Sequence, residues 1–582
     1  MSSIPENIGI ATMPQPDKCS SCTTPIWRWN GTEWVCFNCK YYAVVYDHAN
    51  GDLATLDGCH ASGVYRHPPA QRVAHRASAQ DVASVHVERH KPAYVPERKG
   101  VMTDTHLYYL SATGLVRVPL GSQISHVGTL LQICLDYELD TLWVTPETQV
   151  SDRATQTFVE YAEAGAVWDI KNAQYADGRE YTDSQARATF LKAWKRKDAR
   201  AKGESGRAVH LGFAEHNIRW ELYGVTNPVH LLGALTYLEK ALGFPLHYSP
   251  LSVGKRLMIE ENQGNRAAWL APVNLAAYPP LLSTKVTDIA WARPLSAEEY
   301  EQPFCLGADK NSMYPASCTS VMLGTGEPEH VERPLFDMQK SLPGVYYCRV
   351  SGTSFFDGAR VPHPLEGLWK VGQSEGWLWT YSVKLLKEVG YTVEITEADV
   401  WPWDHCHTVL RPWAERLWHA RATLDGRNPL CDTEQYPSES IRKLAYEAIK
   451  PVMNMSLGLL DAGRKYEGYE SATQLYRPDW YALLKDNARY QMFWRIRSVQ
   501  QKQGILPLGV LTDCLFYAAS SDDHNAAFPG MFDRWDKLGG YKRKFARSID
   551  LAKIAPHFDD PLRDITVINR LLLDYDKGTV EV

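Results

Sequence analysis

Helical and strand-like spacings of apolar residues alternate along the chain. In TVLRPWAERLWHARATL (408–424) and ESIRKLAYEAIKPVMNMSLG (439–458), apolar residues recur every three or four positions, which predicts two amphipathic helices. PFCLGA (303–308) is short and continuously apolar, so it predicts a buried strand. Apolar segments also flank Thr512-Asp513 in GILPLGVLTDCLFYA (504–518), which predicts two strands joined as a hairpin. The second half of the chain therefore reads as an α+β region.

An earlier region, 101–245, shows a more regular alternation of strand-like and helix-like segments. HLYYLSATGLVRVPL predicts a hairpin around Thr113-Gly114, and DTLWVTP predicts a strand. NPVHLLGALTYLEKALG predicts a helix that stops at Gly243. This order predicts a separate α/β domain.

Length and charge limit the class of protein. A chain of 582 residues exceeds one compact core, so we expect several domains. The net charge of −6 argues against a surface that binds nucleic acid along its whole length, but it permits local basic grooves. No apolar stretch reaches the roughly 18 residues of a membrane span, and the N-terminus lacks signal-peptide features. We therefore expect a cytoplasmic location and no membrane partner.

Two closely spaced cysteine pairs near the N-terminus predict a zinc ribbon. Cys19/Cys22 and Cys36/Cys39 form CxxC, thirteen residues, CxxC, and the intervening IWRWNGTEWV predicts a hairpin with an Asn-Gly turn. Four thiolates make a closed tetrahedral site, so the one Zn²⁺ ion is expected to be structural. A redox pair is the weaker alternative, because a single CxxC would suffice for it. The arginine-bearing segment that follows, to residue 100, is either a solvated tether or an arm that contacts phosphates.

Two aspartates in the second half are candidate metal ligands. Asp309 ends the first predicted strand, in GADKNSMYPAS, and Asp513 lies between the later apolar segments. Alone, Asp309 fits an ordinary turn better, because an aspartate at a strand end followed by Asn, Ser and Pro is common in turns, and Asp513 alone carries no information. If the strands pair, the carboxylates could jointly hold two divalent cations, as nucleotidyl transfer requires. Lys443 and Lys450 lie on one stripe of the second predicted helix, facing either a triphosphate or solvent.

At these positions the chain resembles a known enzyme family. DKNSMYP (309–315) looks like motif A of family B DNA polymerases, KPVMNMSLG (450–458) like motif B, and Thr512-Asp513 like motif C. The similarity extends over roughly 285–560 and is greatest to the protein-primed phage branch, so we expect a phage or mobile element as the source.

The resemblance implies a role for each matching residue. Two Mg²⁺ (or Mn²⁺) ions would support catalysis, deoxynucleotides (dNTPs) would be the substrates, and DNA template and primer would be partners, with a priming protein as a further candidate. Asp309 and Asp513 would bind magnesium and carry catalysis, and Tyr314 would exclude a ribose 2′-hydroxyl. Lys450 and, less securely, Lys443 would bind the triphosphate, while Asn454 and Gly458 would contact the nascent base pair. Lys542, Arg543 and Lys544 would contact the primer-template backbone.

The expected architecture is an α+β multidomain protein whose last part is a right-hand polymerase. The α/β domain is expected to be a degenerate exonuclease-like domain or a replacement for one, because the family's proofreading acids are not recognisable there. The expected regions are a zinc ribbon at 1–60, a basic linker at 61–100, the α/β domain at 101–245, and a polymerase region at 246–582 with fingers at about 405–460 and a small thumb at about 525–582.

The chain departs from the family's pattern at two motif positions. Motif C usually carries two carboxylates, and Leu511 stands where the first is expected; motif B usually carries a tyrosine where this chain has Leu457. The leading hypothesis is a template-directed DNA polymerase without proofreading. The alternatives are a catalytically weakened, polymerase-like DNA-binding factor for replication or initiation, and a primase-like polymerase that starts chains without a primer.

Overall fold

The structure is a computed structural model of the whole chain, which divides into two compact units, Met1–Ala93 and Tyr94–Val582. For several short strands it describes the backbone only. Apart from these strands, the structure describes residues 96–120, 127–145, 220–222, 224–246, 249–271, 273–354, 356, 361–370, 372–462 and 475–578.

The first unit contains a three-stranded antiparallel sheet, formed by β1 (Trp27–Trp29), β2 (Glu33–Cys36) and β3 (Tyr42–Val45). Strands β1 and β2 pair as the predicted hairpin, with Trp29 opposite Trp34. The predicted zinc ligands are Cys19, Cys22, Cys36 and Cys39. Three of them and the side chain of Cys36 lie outside the described residues, as does the linker up to residue 95. The zinc site therefore stays a prediction.

The second unit begins with a five-stranded mixed sheet, in the order β10 (His210–Gly212), β7 (Thr141–Val144), β4 (Lys99–Met102), β5 (His106–Ser111) and β6 (Gly114–Pro119). Strands β10, β7 and β4 are parallel, and β4, β5 and β6 are antiparallel. The elements of this region are β4 (Lys99–Met102), β5 (His106–Ser111), β6 (Gly114–Pro119), α1 (Val127–Asp136), β7 (Thr141–Val144), β8 (Trp168–Ile170), β9 (Trp194–Arg196), β10 (His210–Gly212) and α2 (Pro228–Leu242).

Strands and helices alternate in this region as predicted, but it belongs to the compact unit Tyr94–Val582, so a separate α/β domain stays a prediction. Strands β5 and β6 form the predicted hairpin, in which Ser111 pairs with Gly114. Helix α2 ends where the sequence predicts, because Gly243 adopts a left-handed φ of 57° and its N–H caps the last turn. Strand β4 begins at Lys99, so it takes up the last two positions that the sequence assigned to the linker.

The rest of the second unit is a mixed α+β region, as predicted. Its strands are β11 (Ala290–Ala292), β12 (Phe304–Lys310), β13 (Leu323–Gly324), β14 (Glu329–Glu332), β15 (Gly344–Ser351), β16 (Glu375–Trp379), β17 (Thr392–Val400), β18 (Cys406–His407), β19 (Gly509–Leu511), β20 (Cys514–Ala519), β21 (Tyr541–Arg543) and β22 (Ile549–Asp550).

Its helices lie between and after these strands. They are α3 (Pro250–Glu261), α4 (Pro279–Ser283), α5 (Ala297–Tyr300), α6 (Met313–Ser320), α7 (Thr380–Glu388), α8 (Arg411–Leu424), α9 (Glu439–Ala462), α10 (Pro478–Gln503), α11 (His524–Ala527), α12 (Leu551–Asp559) and α13 (Ile565–Lys577), with 3₁₀ turns at Gly264–Leu270, Leu275–Ala277 and Trp403–His405.

Two sheets organise this region. The larger has the order β11-β19-β20-β12-β21, with β22 also paired to β12, and the second has the order β14-β17-β15-β16. Strand β12 lies inside the larger sheet and is buried along nearly its whole length, which confirms the predicted buried strand. Its two neighbours, β20 and β21, therefore fix the direction in which its last residues point.

Helices α8 and α9 confirm the two predicted amphipathic helices. The apolar face of α9 is buried against α2, α3 and α8, with Ala445, Ile449 and Val452 almost completely inaccessible. Its opposite face leaves Lys450 and Asn454 exposed. The helical period thus directs these two polar side chains away from the core.

Close approach between α3 and α9 depends on a glycine. A Cβ placed on Gly254 would lie 1.6 Å from Ser456 Oγ and 2.8 Å from the carbonyl oxygen of Val452. No other residue type fits this contact without movement of one helix. The position of α9, and hence of Lys450 and Asn454, therefore depends on the absence of a side chain at Gly254.

Candidate active site

The end of β12 and the turn that follows it orient the first candidate residues. Asp309 is the penultimate residue of the strand, and Ser312 adopts a left-handed φ of 51° just before α6 begins. This reversal starts the helix at Met313, four residues after Asp309, so Tyr314 lies on the first turn of α6. The sequence Asn-Ser-Met-Tyr-Pro is thus both a turn and the start of a helix.

The second aspartate lies in the turn between β19 and β20. Leu511 pairs with Cys514, so Thr512 and Asp513 form a two-residue hairpin turn, as predicted. Thr512 has a φ of 52°, a conformation that a β-branched residue rarely adopts. Its N–H donates to the carbonyl of Ile289 over 2.8 Å, which holds the turn against the segment before β11.

Pairing between β12 and β20 brings the two aspartates together. The strands are antiparallel, and Asp309 lies opposite Cys514, one residue beyond Asp513. The N–H of Lys310 donates to the carbonyl oxygen of Asp513 over 2.8 Å. The predicted strand pairing is therefore confirmed, and it places both carboxylates on the same edge of the sheet.

Both aspartates line a cleft of about 520 Å³ between the sheet and helices α6, α8, α9 and α10. Its lining residues are Asp309, Lys310, Ser312, Met313, Tyr314, Pro315, Arg421, Lys450, Met453, Asn454, Leu457, Tyr481, Leu484, Lys485, Leu511, Thr512, Asp513, Cys514, Lys542 and Lys544. Six separate stretches of sequence therefore contribute to one cavity.

Two lysines of the C-terminal part pair with Asp309. Lys544 Nζ lies 3.0 Å from Asp309 Oδ1, and Lys542 Nζ lies 3.4 Å from Asp309 Oδ2. Strand β21 lies beside β12, with Lys542 opposite Asp309. The resemblance implied that both lysines contact the DNA backbone; in this structure their ammonium groups contact a carboxylate instead.

The two carboxylates influence each other. Burial, and then the negative charge of Asp309, raise the pKa of Asp513 to about 6 from its ordinary 3.8. Bringing two carboxylates into one partly buried site is unfavourable unless cations compensate their charge.

This donor set fits divalent cations. Carboxylate oxygens are the preferred ligands of Mg²⁺, and a cation between Asp309 and Asp513 would relieve their repulsion. Among the described residues there is no group of three or more His, Cys, Asp or Glu side chains that could hold a metal. The site therefore offers two carboxylates, and Leu511 lines the cleft beside them.

The candidate residues of α9 divide into two sets. Lys450 and Asn454 line the cleft, together with Leu457. Lys443 is exposed about two turns earlier, and Gly458 follows one turn after Asn454; both lie outside the set of cleft-lining residues. Arg543 also lies outside the set of cleft-lining residues. Side chains alternate between faces along an extended chain, and the neighbours Lys542 and Lys544 point toward Asp309, so Arg543 points the other way.

Tyr314 makes a polar contact that the sequence did not indicate. Its hydroxyl donates to Asp288 Oδ1, and Lys485 Nζ lies 3.2 Å from the same oxygen. Burial, and then this hydrogen bond, raise the pKa of Tyr314 well above its ordinary value. The phenol therefore stays protonated and acts as a donor.

The sequence did not identify several cleft residues as candidates, because they lie outside the three motifs. Arg421 of α8 donates to Ser312 Oγ over 3.2 Å, and its guanidinium lies 4.3 Å from the ring centre of Tyr446. Lys485 and Tyr481 lie on α10, one turn apart. The clearest signal in the sequence was the helical spacing of Tyr481 and Lys485, which places them on one face.

Comparisons with known proteins identify structural neighbours only. No family model and no curated protein matches the chain. A solved structure of phi29 DNA polymerase is similar at 12% identity and a TM-score of 0.41, covering 77% of this chain and 85% of that one. Phi29 DNA polymerase complexed with primer-template DNA and incoming nucleotide substrates matches at 13% identity and a TM-score of 0.43, covering 78% and 85%.

A third neighbour is the family B DNA polymerase from the hyperthermophilic archaeon Pyrobaculum calidifontis. It matches at 13% identity and a TM-score of 0.33, covering 78% of this chain and 57% of the other. All three of these neighbours are DNA polymerases. In the part of the chain that the structure describes, no helix is long and apolar enough to cross a membrane.

Proposed function

We propose that this protein is a template-directed DNA polymerase that adds deoxynucleotides to a primer 3′-hydroxyl. The observation that carries the proposal is the joint presence of Asp309, Asp513, Tyr314, Lys450 and Asn454 in one cleft. These residues come from three separate motifs, and the order of the motifs along the chain matches that of family B polymerases.

The cleft has the charge distribution that nucleotidyl transfer needs. Catalysis of this type depends on positioning and on stabilisation of developing phosphate charge, so few side chains suffice. Asp309 and Asp513 would hold two divalent cations. When bound, such ions polarise the phosphate and lower the pKa of an attacking hydroxyl.

Side chains around the carboxylates would bind the nucleotide. Lys450 extends from the exposed face of α9 into the cleft, where it would pair with the triphosphate. Tyr314 lies on the first turn of α6 beside Asp309, where its ring would stand against the sugar and disfavour a 2′-hydroxyl. Lys542 and Lys544, which pair with Asp309 in this structure, would be free to contact primer phosphates once cations replaced them there.

Primer extension tests the proposal directly. The wild-type protein is expected to extend a primed template with dNTPs in Mg²⁺ or Mn²⁺, and Asp309→Asn and Asp513→Asn are expected to lose most of this activity. Asp337→Asn is the matched control, because Asp337 is an exposed loop residue whose side-chain oxygen accepts from the N–H of Gln339. Equal incorporation by the wild type and both cleft variants would rule out this site.

Leu511 favours one second candidate, a polymerase-like factor that binds DNA for replication or initiation with weakened catalysis. A leucine lines the cleft where the family carries a carboxylate. Tight, salt-sensitive DNA binding without incorporation in either metal would support this candidate. Priming without a pre-existing primer, prompted by the predicted zinc ribbon, is tested by synthesis on a single-stranded template alone.

A further inference from the structure

Tyr314 is held at its hydroxyl end by a carboxylate from another part of the chain. Asp288 accepts a hydrogen bond from the phenol hydroxyl, and Lys485 pairs with the same carboxylate oxygen over 3.2 Å. The three residues come from three separate parts of the chain: Tyr314 is on α6, Asp288 is in the segment just before β11, and Lys485 is on α10. The ring of Tyr314 packs between the two main apolar cores of the unit, so its body is fixed by packing and its tip by this network.

The backbone next to Asp288 is itself anchored. Ile289 is buried, and its carbonyl accepts the N–H of Thr512 over 2.8 Å. Ala290 then pairs with Leu511 in the sheet. The position of Asp288 is thus tied to the turn that carries Asp513.

Lys485 completes the arrangement from the helix side. Its side chain is only 14% exposed, and its ammonium lies 5.6 Å from the ring centre of Tyr481. Asp288 is 45% exposed at its side chain, so it faces solvent near the cleft on one side and Lys485 on the other. The ion pair restricts the directions in which the Asp288 carboxylate can turn.

Coordination of a metal is a poorer explanation for Asp288. Its oxygen is already shared by a phenol and an ammonium, and it forms no metal-holding group with other acids among the described residues. Asp288 therefore does not replace the carboxylate that the family pattern has at position 511. Its contacts are with the side chain that would face the sugar.

We propose that Asp288 and Lys485 are positioning residues that hold the Tyr314 ring in place and thereby set the discrimination between deoxyribonucleotides and ribonucleotides. This inference rests on the proposed polymerase function. A ring that rejects a 2′-hydroxyl must resist being displaced by it, and a bond at the phenol oxygen supplies that resistance. Loss of Asp288 would let the ring turn aside and admit a ribose.

Single-nucleotide primer extension, with kcat/KM measured for a dNTP and the matching ribonucleotide, tests the inference. We expect Asp288→Ala to lower the ratio of the two values by about tenfold, in keeping with the contribution of a hydrogen bond to a charged group. Asp288→Asn keeps an acceptor oxygen, so it should preserve much of the wild-type ratio. Lys485→Met should lower the ratio, and Lys485→Arg should restore it.

Two further variants separate positioning from general damage. Tyr314→Phe removes the hydroxyl, so Asp288→Ala should add little to its effect in the double variant. Glu301→Ala, at an exposed carboxylate outside the cleft lining, should leave the ratio unchanged. A variant that merely destabilises the fold would lower both kcat/KM values together and leave the ratio intact.

The outcomes distinguish this inference from the proposed function. If the wild type extends primers and Asp288→Ala retains the wild-type ratio, the positioning role is wrong and the polymerase proposal stands. Equal losses with both nucleotides in Lys485→Met would remove Lys485 from the role. If the wild type incorporates neither nucleotide, the polymerase proposal fails and the inference fails with it.

Discussion

Asp309 lies opposite Cys514 in the antiparallel pair β12-β20, and Asp513 directly precedes Cys514 in the hairpin turn. This register brings two carboxylates that are far apart in sequence into one cleft. It also brings Leu511 to the cleft lining. The site therefore has two acidic positions, Asp309 and Asp513, and an apolar one, Leu511. The family that the sequence resembles carries a further acid at that third position.

Leu511→Asp should strengthen binding of divalent cations. An added carboxylate beside Asp513 increases the negative charge that a cation neutralises, so we expect half-maximal primer extension at a Mg²⁺ concentration lower by about tenfold. Leu511→Asn, similar in size to aspartate but neutral, is the control and should not produce this shift. An unchanged Mg²⁺ requirement in Leu511→Asp would show that position 511 does not contribute to cation binding.

Gly254→Ala should destabilise the fold and displace α9. The added methyl group would overlap Ser456 Oγ and the carbonyl of Val452, so we expect a loss of about 3 kcal/mol in the free energy of unfolding. Gly458→Ala is the matched control on α9, since a Cβ there meets nothing within 4 Å. It should stabilise the protein by about 0.5–1 kcal/mol, because alanine favours helix. Chemical denaturation of both variants checks the contrast, and equal effects would contradict it.

Thr512→Asn should stabilise the hairpin turn. Threonine is β-branched and its φ of 52° is unfavourable, whereas asparagine tolerates left-handed backbone. We expect a gain of about 0.5–1 kcal/mol in the free energy of unfolding, measured by thermal or urea denaturation. Thr392→Asn, at an exposed position of strand β17, should be neutral or destabilising. A loss of stability in Thr512→Asn would show that the threonine side chain itself stabilises the turn.

Asp486 makes a pH-dependent contribution to stability. Its carboxylate is completely buried and accepts the N–H groups of Tyr381 and Ser382 at the start of α7. Burial raises its pKa from 3.8 to about 6, so the folded state favours the protonated form more than the unfolded state does. This contribution to stability is fully present below pH 3.8 and is lost as the pH rises through about 6.

Asp486→Asn, which cannot ionise, should therefore become more stable relative to the wild type as the pH rises. From the pKa shift we expect the difference in free energy of unfolding to change by about 2 kcal/mol between pH 4 and pH 7. Urea denaturation of both proteins at the two pH values measures it. A difference that does not depend on pH would mean that Asp486 titrates near its ordinary value in the folded protein.

Much of the local structure followed from the sequence. The apolar run before Asp309 is a buried strand because six continuous apolar or small residues can be covered on both faces of a sheet. Helices α8 and α9 formed where apolar residues recur at helical spacing, and Gly243 ended α2 through its left-handed backbone. These features depend on neighbours in sequence, so a pattern can reveal them.

The site residues could be identified in advance only where motifs carried them. Asp309, Tyr314, Lys450 and Asp513 could be singled out because each belongs to a short motif, and they lie together in the cleft. Asp288 and Lys485 have no such local context. Their relation to Tyr314 exists only because three distant segments pack together.

The sequence by itself determined the strands, the helices and the residue types available for chemistry, because spacing and backbone preference act over a few residues. Tertiary structure decided which of them meet. It paired Asp309 with two lysines, placed Lys443 and Arg543 outside the cleft lining, and joined Tyr314 to Asp288. Such contacts depend on strand register and on packing between helices, and these are set by the whole fold rather than by any one segment.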